Sequence, residues 1–231
     1  MSLDMDTDTT DLQLSPLEAR ILGSLIEKEI TTPEYYPLTL NALLAACNQK
    51  NNRAPVFALD EETLARGIYS LQEKRVVDSF AGANARALKY RERLTSRLAL
   101  APDERAILCE LLLRGPQTAG ELHSRAARMH PFNTREDVQA TLDRLAVRPG
   151  GALLTELPRQ HGHKEVRVAH LLGDQPPSAE QPLSEPPPPA AVAAVMGEAT
   201  RLAALEARVD ALEAELAGLK ALFGTFKAQF E

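Results

Sequence analysis

Two basic segments hold the side chains best suited to meeting an anion. AGANARALKYRER carries Arg86, Lys89, Arg91 and Arg93 against the single acid Glu92, and PRQHGHKEVR carries Arg159, Lys164 and Arg167, with His161 and His163, against Glu165. Cations gathered this way can contact phosphate oxygens, which gives marked salt dependence and weak reading of base sequence. A solvated strand with alternating charge fits the same residues. His161 and His163 have no nearby Cys or third His, so they do not make a metal site. No nucleophile–base pairing, P-loop or glycine-rich dinucleotide motif is present. The sequence is therefore read as non-enzymatic, with no cofactor and no metal.

A third candidate is CNQKNNRAPVFALD, residues 47–60. It presents Lys50 and Arg53 among four amides, Asn48, Gln49, Asn51 and Asn52. One reading is a surface loop offering cations and amides to phosphate oxygens or to a partner's backbone. The other is an ordered loop whose amides bond its own backbone, as Asn does in turns. Pro55 blocks helix continuation, Asp60 is suited to cap the next helix, and Val56 and Phe57 are expected to tuck towards the core.

An internal repeat supplies the elements that must position these groups. LSPLEARILGSLI (14–26) matches LAPDERAILCELL (100–112) at an offset of 86. Thr39 and Leu43 match Thr118 and Leu122, and Leu64, Ile68 and Leu71 match Val138, Leu142 and Leu145. Ser15, Pro16 and Glu18 form a helix start with a capping box; in the second copy Ala101 lacks the cap side chain but Pro102 and Glu104 remain. Each copy ends in two strand-like runs, 76–80 and 87–93, then 152–157 and 164–172. Three helices and a hairpin in roughly 80 residues is the order of a winged helix. With Leu64, Ile68 and Leu71 turned inward, the third helix exposes Glu62, Arg66, Tyr69 and Glu73. Its counterpart exposes Glu136, Ala140 and Asp143, flanked by Arg135 and Arg144. Both helices start acidic, as DEE and TRED, which does not favour a major-groove reader.

LSPLEARILGSLIEKEITTPEYYPLTLNALLAACNQKNNRAPV, together with RGPQTAGELHSRAARMHPF, resembles the YceH-like family of uncharacterised bacterial proteins. The resemblance covers residues 14–172. It implies a tandem winged-helix fold in the bacterial cytoplasm and carries no established activity with it.

The repeated region is slightly basic and sits between acidic ends, within a net charge of −6. The acidic start is unlike a targeting signal, and no apolar run approaches the ~20 residues of a membrane span. Cys47 and Cys109 read as reduced and buried, which suits the cytoplasm. Residues 173–197 hold 7 of the 16 prolines and read as an extended linker. Beyond it, Leu202, Val209, Leu216, Phe223 and Phe230, interleaved with Leu205, Leu212, Leu219 and Phe226, form a heptad seam. Arg201–Glu206, Arg208–Glu213 and Glu215–Lys220 are opposite in sign at the flanking positions of a parallel pair. An amphipathic helix folding back on its own chain is the alternative.

The expected fold is therefore mainly α with small β wings (α+β). It comprises an acidic tail (1–13), two winged helices (14–96 and 97–172), a Pro-rich linker (173–197) and a coiled-coil helix (198–231). The expected function is DNA binding by a regulator or nucleoid-associated protein, dimerised through Leu202, Leu205, Val209, Leu212, Leu216, Leu219, Phe223 and Phe226. The expected contacts are Lys50, Arg53, Arg66, Tyr69, Arg86, Lys89, Arg91, Arg159, Lys164 and Arg167. The alternative is a protein-interaction adaptor that uses the same faces.

Overall fold

Ser15 starts the first helix as its sequence dictates. Its hydroxyl accepts from Glu18 N at 3.3 Å and Glu18 Oε2 accepts from Ser15 N at 2.7 Å, closing a capping box ahead of α1, Pro16–Thr31. The computed structural model describes residues 12–81, 87–159 and 165–173. After α1 come β1 (Leu38–Thr39), α2 (Leu40–Cys47), α3 (Glu61–Glu73), β2 (Val77–Phe80) and β3 (Lys89–Glu92). A single turn, α4 (Leu94–Arg97), then leads into the second half. There the order recurs as α5 (Pro102–Arg114), β4 (Gln117–Thr118), α6 (Ala119–Ala126), α7 (Arg135–Ala146), β5 (Leu154–Glu156) and β6 (Arg167–His170).

The capping chemistry recurs with the order. Thr39 and Thr118 each end a two-residue strand and also cap the helix that follows, accepting from Ala42 N and Glu121 N. Asp60 caps α3 by accepting from Thr63 N at 2.7 Å, and Thr134 caps α7. In α5 the Ala101 side chain offers nothing, yet Glu104 still accepts from Ala101 N at 3.0 Å. The sheets are small and antiparallel, ordered β1-β3-β2 and β4-β6-β5. Thr39 pairs with Lys89 in one and Thr118 with Arg167 in the other, which sets the register between the copies.

One apolar core runs through both halves, with α1 packed along α5. The repeat makes Gly23 and Cys109 equivalent, and the Cys109 thiol donates to Gly23 O at 3.3 Å. Equivalent positions of the two copies thus meet where α1 packs along α5. Gly23 is required there: a Cβ would stand 2.8 Å from the Leu113 side chain. Gly67 plays the same part between α3 and α1, where a Cβ would fall 2.5 Å from Ile21 Cδ1. No helix of the described residues is long and apolar enough to cross a membrane.

Candidate nucleic-acid interface

The loop between α2 and α3 is anchored to the rest of the fold at several points. Asn48 clasps its far end, donating from Nδ2 to Leu59 O and accepting from Leu59 N, both at 2.8 Å. Ala54 N donates to Leu113 O in the second half at 3.0 Å. Arg53, expected at the surface, is instead 5% exposed. Its guanidinium forks onto the Glu27 carboxylate at 3.1 and 2.5 Å and donates to Ala46 O, so it has no charge to offer a ligand. Val56 and Phe57 are half-buried, Phe57 lying under the Arg20 guanidinium at 4.4 Å. Lys50 alone keeps its cation in solvent.

Arg53 belongs to an ionic network at the junction of the halves. Arg128, just after α6, bridges Glu27 of α1 and Glu110 of α5; Arg114 reaches Glu110 and also donates to Asn52 at 2.5 Å. Arg20, likewise buried, has only carbonyl acceptors, those of Cys47, Pro55 and Leu113. Burial pushes the Glu27 carboxyl up, but the hydrogen bonds and charges of Arg53 and then Arg128 outweigh it and hold its pKa below the usual value. Burial, reinforced by the Arg53 charge, lowers Arg20 to about 10.

On α3, Arg66 and Tyr69 stand in solvent as expected, Tyr69 at 66% exposure. Arg66 lies 3.7 Å from Glu62, one turn back. Asp60, Glu61 and Glu62 make the start of the helix acidic, and Glu136 and Asp137 do the same for α7.

The two sheets differ at equivalent positions. In the first, the cross-strand pairs Phe80–Lys89 and Asp78–Arg91 put four side chains on one face, and alternation adds Arg93. Asp78 lies 3.3 Å from Arg91 and 2.9 Å from Arg93, all three well exposed. The Arg91 guanidinium lies over the Phe80 ring, 5.5 Å from its centroid. Three cations against one carboxylate leave this face at +2. In the second sheet, Arg167 occupies the place of Lys89 and is bound to Glu121 at 3.1 Å. Burial raises the Glu121 pKa, but the bonds from Thr118 N and Arg167 bring it below the usual value. Thr155, Ala169 and Leu157 stand where Asp78, Arg91 and Phe80 do, with Ala169 and Leu157 buried. Arg159 is exposed at the end of this sheet.

Of the expected contacts, Lys89 and Arg91 come together, with Arg93 and Phe80 as additions. The alternation of 87–93 signals Arg93, and the last residue of VVDSF signals Phe80. Arg66 and Tyr69 lie on α3, and Lys50 and Arg159 on other loops. Arg86, His161, His163, Lys164 and the heptad residues lie outside the described residues. Among the described residues no group of three or more His, Cys, Asp or Glu could hold a metal. Both thiols are buried, which raises Cys47 to about 11 and Cys109 well above the ordinary thiol range. Burial also drives His170 down to about 4.

A family model described as "Protein of unknown function, DUF480" matches residues 14–163. A UPF0502 protein of Opitutus terrae is 51% identical over 176 residues, 76% of each chain. The UPF0502 protein of Pelobacter propionicus is 48% identical over 222 residues, 96% of this chain and 100% of that one. That of Geotalea uraniireducens is 48% identical over 221 residues, again 96% and 100%. The span matched by the family model takes in α1, the clasped loop and the whole first sheet, and on that evidence the chain belongs to the DUF480 family, the UPF0502 proteins of bacteria.

Proposed function

We propose that the protein is a non-enzymatic DNA-binding protein whose two halves are winged helices and whose C-terminal heptad makes it a dimer. The observation that carries this reading is the outer face of the first sheet, where Arg91 and Arg93 stand in solvent beside the half-buried Lys89, and among the described residues Asp78 alone balances them. Exposed pairs of this kind are worth about 0–1 kcal/mol, so a phosphate can displace Asp78 cheaply. The order helix–strand–helix–helix–strand–strand in each half supports the winged-helix assignment. Carboxylates at the starts of α3 and α7 disfavour base reading there, so contact is through phosphates and selectivity is low.

The test is fluorescence anisotropy of the full-length protein with random-sequence DNA, duplex and denatured, at ~50 and ~200 mM salt. Binding should weaken steeply with salt and drop in a Lys89/Arg91/Arg93→Ala variant. No binding to either form at the lower salt sinks the reading. One observation favours the adaptor instead: Tyr69, an aromatic of the type enriched at protein interfaces, stands exposed on α3, a helix that begins with Glu61 and Glu62. A photo-crosslinking residue at position 69 that captures one discrete partner, while DNA fails to bind, would establish that alternative.

A further inference from the structure

We infer that the outer face of the first sheet is a site for single-stranded nucleic acid, the backbone lying along β3 and an unpaired base stacking on the Arg91 guanidinium over Phe80. This rests on the DNA-binding reading and specifies the form of nucleic acid taken.

The alternation of β3 places Lys89 and Arg91 on one face, such positions lying about 7 Å apart along a strand, and Arg93, just past the end of β3, joins them at Asp78. That spacing matches the separation of successive phosphates on an extended strand. A cation–π contact is already built beside this row. The Arg91 guanidinium lies 5.5 Å from the Phe80 ring centroid, and Phe80 is itself 37% exposed. A planar guanidinium supported from below by a ring is a platform for a base, and base stacking of this kind ignores base identity. A duplex has no use for it, because its bases are already stacked inside. The helices that would enter a duplex groove begin with Asp60, Glu61 and Glu62 in α3 and with Glu136 and Asp137 in α7. Those carboxylates would face the phosphate walls of the groove. A sheet face combining a cation row with one stack suits a flexible strand and gives a rigid duplex only its charge.

The second sheet serves as an internal control. At the positions of Arg91 and Phe80 it has Ala169 and Leu157, both buried, so it offers neither cation row nor stack. Among the described residues the site is confined to the first half.

The experiment uses the full-length protein and fluorescein-labelled oligomers of ~12 nucleotides, oligo-dT and oligo-U against a mixed-sequence duplex, at ~50 mM salt. Single strands should bind roughly tenfold more tightly than duplex. Phe80→Leu should remove most of that preference and Phe80→Trp restore it. Arg91→Lys keeps the charge and removes the planar group, so it should lose the preference while the salt slope stays the same. Preference for oligo-dT, for oligo-U or for both supports the site. If duplex binds as well as single strand and Phe80→Leu and Arg91→Lys change nothing, the inference is overturned and the DNA reading stands. If nothing binds, both fall.

Discussion

The two sheets are built on one plan and finished differently. Each has the order short strand, last strand, middle strand, and in each a threonine ends the short strand and starts a helix. Where the first carries Asp78, Phe80, Arg91 and Arg93, the second carries Thr155, Leu157, Ala169 and Leu171. The backbone plan thus survives a change of chemistry, because it is held by caps, ladder bonds and the inward-facing residues. The positions on the other face differ: in the first half they are charged and open, in the second apolar, with Leu157 and Ala169 buried.

The interior uses arginine in the opposite way. Arg53 and Arg128 spend their charge on Glu27 at the junction, whereas Arg91 and Arg93 keep theirs in solvent. The largest test of that contrast is Arg53→Ala. It strips the forked partner from a buried carboxylate and should cost about 3–5 kcal/mol, read from urea unfolding. Ala169→Arg copies the first sheet's chemistry into the second and should cost about 2–4 kcal/mol, because position 169 is 3% exposed. A neutral result would mean that the two faces are interchangeable. Gly67→Ala should cost about 1–3 kcal/mol through overpacking against Ile21. At the equivalent position Thr141→Ala should cost about 1 kcal/mol, losing the hydroxyl's hydrogen bond to Asp103 at 2.8 Å. Arg91→Ala should change stability by no more than about 0.5 kcal/mol, because solvent screens its pair with Asp78.

Acid probes the carboxylates that the fold holds with donors and cations. Glu27, Glu18 and Glu121 titrate below their ordinary value in the fold because the bonds and charges around them outweigh burial. Their contribution is complete above the unfolded value of about 4.3 and is lost as pH falls through the lower folded values. Glu29, raised by burial, works in the other direction. Urea midpoints should therefore fall between pH ~5 and ~3, and Glu27→Gln should flatten that fall.

Much of the local structure was legible in the sequence. Ser15, Pro16 and Glu18 announce a helix start by chemistry that needs no distant partner, and the repeat at an offset of 86 carries over to matching element orders. The strand-like runs contain β2, β3, β5 and β6, β2 trimmed at its start and the others at both ends. β1 and β4 escaped because two-residue strands leave no alternation to read. Arg53 misled for a different reason. A polar loop looks the same whether it faces water or a second copy of the fold, and its destination depends on Glu27 and Arg128, 26 and 75 positions away. Phe80 was passed over because its meaning depends on Arg91, which the hairpin register alone brings to it.

The packing of α1 along α5 has one more consequence. Each half offers the surface that the other occupies, across the short connection at 98–101. A chain opened there would find in a neighbour opened the same way the junction it had left, down to Glu27 meeting Arg128. The fold thus contains its own template for domain exchange, and a population of exchanged dimers growing with protein concentration would be its signature.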